Sequence, residues 1–120
     1  MTKACLPYLL KGTNPHVLNL CPPLNMEARW FANSCAYSMA KYGMSMQVLG
    51  MHKEFENKVA FNGLWPRTYI STAAIKYVLG GDLALRKSRK VDIMADAAYL
   101  IFCKDFKTYT GNFLIDDDVV

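Results

Sequence analysis

Tyr37 and Lys41 bound the run Tyr37-Ser38-Met39-Ala40-Lys41, a tyrosine and a lysine four positions apart. On a helix this spacing puts both side chains on one face, one turn from each other. An ammonium beside a phenol favours the phenolate and lowers an ionisation that begins near a pKa of about 10. A phenol so tuned can hand a proton to an alcohol or ketone oxygen, or take one from it. The same five residues also permit a plain structural reading, with a half-buried ring and a solvated helical lysine.

Other chemistry-bearing residues carry less. His16 stands before an apolar run and His52 lies well downstream, and neither has an acidic residue placed to complete a triad. The densest basic cluster, Arg86-Lys87-Ser88-Arg89-Lys90, could meet a phosphate or an acidic lipid, or could simply form a solvated loop. Asp116-Asp117-Asp118 lacks the spacing of an oxygen-ligand loop, so no metal is expected. Cys5, Cys21, Cys35 and Cys103 show neither zinc-knuckle nor redox-dithiol spacing, and predict free thiols in a reducing compartment. The methionines Met39, Met44, Met46 and Met51 suit flexible core packing.

These residues must be positioned by a small globular unit. The chain has 120 residues, 52% hydrophobic and 20% charged, which excludes a purely disordered polymer and allows one domain. Its net charge of +4 is too mild for a nucleic-acid polycation, and no nucleic-acid partner is expected. Lys11, Lys41, His52 and Lys76 break every stretch that could span a bilayer. Pro7 interrupts the first apolar run and no small-residue exit follows, so no secretory leader is expected. An intracellular, soluble protein is the expectation.

Periodicity and punctuation give the elements. Residues 2–11 predict the last turns of a helix, stopped by Gly12 and Asn14-Pro15. His16 to Cys21 predicts a strand ended by Pro22-Pro23, and the loop that follows runs to Asn33. A long helix starts near Asn33 or Ser34 and reaches about Glu56, with Ala36, Ala40, Met44, Val48, Met51 and Phe55 as its apolar face. Val59 to Trp65 predicts a second strand stopped by Pro66. A short helix falls within Tyr69 to Leu79, and Gly80-Gly81 precedes a polar, basic excursion from Asp82 to Lys90. Asp92 to Lys104 is amphipathic, and Gly111 to Asp116 predicts a last strand. Strands separated by such long crossovers run parallel with helices on their faces, and one edge of so small a sheet stays open for self-association.

The phrases HVLNLCPPLN (16–25), CAYSMAKYGMSMQVLGM (35–51), FNGLWPRT (61–68), RKVDIMADAAY (89–99) and TGNFLIDD (110–117) together resemble the short-chain dehydrogenase/reductase superfamily, in its hydroxysteroid dehydrogenase-like branch. The resemblance runs over essentially all 120 residues. It implies an α/β fold: a partial Rossmann-like parallel sheet of three strands with flanking helices, truncated at the N-terminus. Residues 1–120 would form the C-terminal half of such a domain.

The resemblance assigns roles residue by residue. Tyr37 matches the catalytic tyrosine, and Lys41 the lysine that holds the nicotinamide ribose and lowers the tyrosine pKa. Pro22 occupies the customary catalytic serine position, and Cys21 stands where the branch keeps a serine, although a thiol is the poorer hydrogen-bond donor. Pro66 matches the proline beside the nicotinamide, with Arg67 in place of the family glycine. Ile70 and Thr72 match carboxamide and diphosphate contacts, and Thr72 also suits a helix N-cap. The implied cofactor is NADP or NAD, the substrate a small lipophilic alcohol or carbonyl compound, and the compartment the peroxisome or mitochondrion. No glycine-rich nucleotide fingerprint occurs in these residues. A dinucleotide is therefore expected to find half a site, and this chain to be inactive or incomplete alone. The alternative is a truncated pseudoenzyme or a partner-binding fragment.

Overall fold

A computed structural model describes every residue except 33, 74, 76 and 78–80, with residues 81, 84 and 85 described in backbone only. In chain order the elements are α1 (Thr2–Leu9), β1 (His16–Leu20), a 3-10 turn (Ala28–Trp30), α2 (Cys35–Glu54), β2 (Ala60–Trp65), α3 (Gly81–Arg86), α4 (Asp92–Phe102), β3 (Phe113–Ile115) and α5 (Asp116–Val119).

The three strands form one sheet in the order β1-β2-β3, parallel throughout. His16 pairs with Ala60 and Leu20 with Leu64, while Gly63 to Trp65 align with Phe113 to Ile115. The α/β class and the parallel three-stranded sheet with flanking helices are as the sequence predicts, a Rossmann-like arrangement. β2 is the middle strand and is buried on both faces, which is why its sequence does not alternate.

Each face of the sheet has its own core. On one side Cys21, Val48, Val59 and Phe61 pack with Leu6, Leu9, Met44, Met51 and Phe55, so α1 and α2 cover this face. On the other, Leu64, Ala97 and Ile101 pack with Leu18, Met94, Leu114 and Val119, which brings α4 and α5 onto that face. The buried polar side chain of β2 is satisfied. Asn62 Nδ2 donates to the Tyr109 carbonyl at 2.9 Å, and Asn62 Oδ1 accepts from the Asn112 backbone at 3.0 Å and side chain at 2.9 Å. Asn62 thereby fixes the turn that delivers β3.

Three expectations need correction. First, the stretch from Asp82 is not wholly a polar excursion, because Gly81–Arg86 is helical. Leu, Ala and Arg are strong helix formers, and Asp82 in the first turn suits the positive end of the helix, whereas the sequence reading weighted charge alone. Gly81 therefore opens a helix. The predicted short helix within Tyr69 to Leu79 is present in part: Ala73, Ile75 and Tyr77 are helical, while residues 74, 76, 78 and 79 lie outside the described residues.

Second, β3 is shorter than predicted, because Asp116 turns the chain into α5. Third, the buried face of the first half of α2 is Ser38, Tyr42 and Ser45, while Ala36 and Ala40 are exposed. These polar side chains satisfy backbone carbonyls of the loop after β1. Ser38 Oγ donates to Trp30 O at 3.1 Å, Ser45 Oγ to Pro22 O at 2.7 Å, and the Tyr42 hydroxyl to Asn25 O. Met44 and Met51 pack in the core as predicted, but Met39 and Met46 are exposed.

Candidate active site

The loop after β1, the first turns of α2 and the end of β2 meet at the carboxyl end of the sheet, where ligands bind in open α/β folds. Pro-Pro cannot continue a strand, so the chain leaves the sheet at Pro22 and returns through the Ala28–Trp30 turn. The Ser38, Tyr42 and Ser45 hydroxyls tie that returning loop to α2. The result is a cleft of about 120 Å³ between Pro22, Trp30, Ser34, Tyr37, Lys41 and Trp65, floored by Ser38 and Tyr42. This wall of polar and aromatic side chains encloses well under the roughly 300–1,000 Å³ of a complete small-molecule pocket.

Tyr37 and Lys41 lie on this wall as their spacing predicts. Tyr37 is 55% exposed and lines the cleft. Lys41 is half-buried. Its Nζ donates to Leu20 O at 3.0 Å and sits 5.6 Å from the centre of the Trp65 ring. The lysine is thus aimed by the end of β1 and by an aromatic face rather than by the tyrosine.

Cys21 does not join them. Its side chain is 1% exposed and packs with Val48 and Phe61 under α2. Gly63 on β2 makes the room, since a Cβ there would lie 2.8 Å from the Cys21 sulfur. Burial pushes the thiol pKa up, while the Ser45 contact and the Lys41 charge pull the other way. Position after a strand places a residue in sequence but does not decide its face. Here Cys21 turns into the core and Pro22 turns to the cleft.

Pro66 is half-buried directly after Trp65. Arg67 is exposed, but its guanidinium is engaged by carboxylates rather than left for a phosphate: its Nε meets Asp117 Oδ2 at 2.9 Å, and a terminal guanidinium nitrogen bonds Asp118. Ile70 forms a parallel bridge to Arg89, in which Arg89 N–H donates to Tyr69 O at 2.9 Å and Ser71 N–H to Arg89 O at 2.8 Å. In that pattern the N–H and C=O of Ile70 point away from Arg89. Thr72 is exposed and immediately precedes helical Ala73, as an N-cap would. Neither Ile70 nor Thr72 lines the cleft described above.

Sequence reasoning missed Trp30, Ser34, Tyr42 and Trp65 as cleft walls. A usable signal was present for Trp65, an aromatic residue at the carboxyl end of a strand, just before the proline that stops it. His16 is structural, its Nε2 donating to Lys104 O at 3.0 Å. His16 also lines a wider hollow of about 690 Å³ with Cys5, Tyr8 and Phe102, at the amino end of β1. That hollow is open and has no Lys, Arg, Asp or Glu among the described residues that line it, so the smaller cleft at the other end is the chemical candidate. Among the described residues no cluster could hold a metal ion, and no helix is long and apolar enough to cross a membrane.

No family model matches the chain. It is 57% identical over 119 residues to hydroxysteroid dehydrogenase-like protein 2 of Bos taurus, and 55% identical to the Homo sapiens protein of that name. The alignment covers 99% of this chain and 28% of either relative. Among solved structures, a Xanthomonas campestris chain superposes with a TM-score of 0.90 at 44% identity, covering 98% of this chain and 43% of that one. A short-chain dehydrogenase of Mycobacterium thermoresistibile gives 0.84, also at 44% identity, covering 98% of this chain and 42% of its own.

Proposed function

We propose, from this resemblance to the short-chain dehydrogenase/reductase superfamily along nearly the whole chain, that Tyr37 and Lys41 form the proton-exchange and ribose-holding part of an NAD(P)-dependent oxidoreductase site. The observation that carries the reading is that both side chains line one cleft at the carboxyl end of the parallel sheet. The likeness in sequence and fold supports oxidoreductase character. The substrate class we assign is a small lipophilic alcohol or carbonyl compound, because Trp30, Trp65 and Pro22 give the cleft apolar walls.

The described residues fit the nicotinamide-ribose end of such a cofactor. The Lys41 ammonium carries three protons and spends one on Leu20 O, which leaves two for a diol. The N–H and C=O of Ile70, which have no hydrogen-bond partner among the described residues, suit a carboxamide, which both donates and accepts. When bound, the nicotinamide supplies the means to add or remove hydride at carbon. Tyr37 then donates its proton to the oxygen of a carbonyl substrate, or accepts one from an alcohol. Lys41 keeps positive charge one turn from that phenol and fixes the cofactor side of the wall. Cys21 serves packing in this reading, and Pro22 brings no donor to polarise the carbonyl.

With no glycine-rich cradle in these 120 residues, the proposal is cofactor binding through this end without measurable ketone reduction by the chain alone. The chain's two tryptophans, Trp30 and Trp65, both line the cleft, so intrinsic fluorescence reports its occupancy. Titration with NADPH should quench that emission saturably, and Lys41→Met should weaken the response about tenfold or more. An unquenched emission at millimolar NADPH would sink the proposal.

A second reading, a partner-binding fragment, is favoured by β1, which pairs only with β2 among the described strands. Association that depends on protein concentration, together with indifference to nucleotide, would support it.

A further inference from the structure

We infer that Asp116, Asp117 and Asp118 form a clasp that holds the segment after Pro66 at the end of the sheet, with Asp117 as its positioning residue. The three carboxylates follow β3 directly, and each takes a partner some fifty positions upstream or on the segment before α4. Asp116 is fully buried, and its Oδ1 accepts the Arg67 backbone N–H at 2.9 Å and the Asp117 N–H at 2.9 Å. Asp117 joins two arginines, one oxygen to Arg67 Nε at 2.9 Å and the other to Arg89. Asp118 takes one terminal nitrogen, Nη2, of Arg67.

The chemistry of these contacts is directional. An arginine offers its donors in a rigid planar fork, so two carboxylates on one guanidinium fix where the Arg67 backbone lies. Arg89 is fixed in turn by Asp117, and it pairs through its backbone with Tyr69 and Ser71. The clasp therefore holds the segment at both ends: Arg67 directly, and residues 69–71 through Arg89. Ile70 lies between these anchors, with its own N–H and C=O turned outward. The side chains of Asp117 and Arg89 are partly exposed, at 27% and 39%, so salt can reach this pair, whereas the backbone bond to Asp116 is shielded.

That Ile70 meets a nucleotide rests on the function proposed above, but the clasp itself does not. Its test is amide hydrogen exchange on the whole chain. In Asp117→Asn the Ser71 and Arg89 amides should exchange about fivefold faster or more, while Phe61 and Leu64 in β2 keep their protection. Asp118→Asn, which removes a single contact, should give a smaller change confined to the same segment. Raising sodium chloride to about 1 M on the unmodified chain should reproduce the Asp117→Asn pattern without any substitution. If Asp117→Asn loses protection everywhere, the salt series decides. Unchanged Ser71 and Arg89 exchange in both experiments would overturn the clasp. NADPH titration of Asp117→Asn is a separate readout. Faster local exchange with unaltered nucleotide affinity would leave the clasp standing and count against the role given to Ile70.

Discussion

The cleft of Tyr37 and Lys41 and the clasp of Asp116 to Asp118 sit at the same end of the sheet but are built in opposite ways. The cleft pair comes from neighbours on one helix and leaves its polar atoms open: Tyr37 is 55% exposed, and Lys41 spends one proton on a backbone carbonyl. The clasp joins residues far apart in sequence, and its arginines are occupied by carboxylates. Polar groups held ready for a ligand are left partly unsatisfied, whereas polar groups that hold a fold are consumed by one another. The basic character of Arg67 and Arg89 thus serves the fold.

The strongest way to break the comparison is to remove the strand on which both regions depend. Phe61→Ala should cost about 3–5 kcal/mol in denaturant unfolding, since the ring is fully buried, and should loosen cleft and clasp together. Next come the two glycines that admit a close neighbour. Gly111 has φ +77° and a Cβ there would lie 2.8 Å from His52 Nδ1, so Gly111→Ala should cost roughly 1–3 kcal/mol and disturb the approach to β3. Gly63→Ala should cost about as much by pressing on Cys21, and adding Cys21→Ala should recover part of the loss. Recovery would also show that the Cys21 thiol fills space.

Acid should separate the regions. The hydrogen bond from Arg89, followed by its charge and that of Arg67, holds the Asp117 carboxyl below the ordinary value of 3.8. Among the described residues Arg67 and Arg89 pair with it, and Asp116 and Asp118 flank it in sequence. A depressed carboxylate contributes stability that is fully present above its unfolded pKa and is lost as pH falls through its lower folded value. Protection at Ser71 and Arg89, taken relative to intrinsic exchange at each pH, should therefore hold through the mildly acid range and fall only below about pH 3.8. The smallest effect belongs to Tyr37→Phe, which should alter unfolding by no more than about 0.5 kcal/mol, because that hydroxyl has no structural partner among the described residues.

The two regions also show what the sequence makes legible. Tyr37, Lys41, the parallel order and the elements β1, α2, β2 and α4 follow from local spacing, and the boundaries shift by only a residue or two. Periodicity of apolar residues missed the Ser38, Tyr42 and Ser45 face, because hydroxyls that bond carbonyls bury as readily as alanines. It also missed α3, where charge obscured helical propensity. Cys21 and Pro22 are adjacent in sequence, and only packing against Gly63 decides which of them faces the cleft. The clasp was invisible for a further reason, since no local pattern links Arg67 to residues near the C-terminus. The family resemblance marked Arg67 as a departure, and the structure supplies its partners.

The most direct test of the functional account is thermal unfolding of the chain with and without millimolar NADP(H), alongside Lys41→Met. A ligand that binds only the folded state raises the midpoint by linkage. The account predicts a cooperative transition that moves upward with nucleotide in the unmodified chain and moves far less in Lys41→Met. A cooperative transition that nucleotide leaves in place, or one that shifts equally in both proteins, would contradict it.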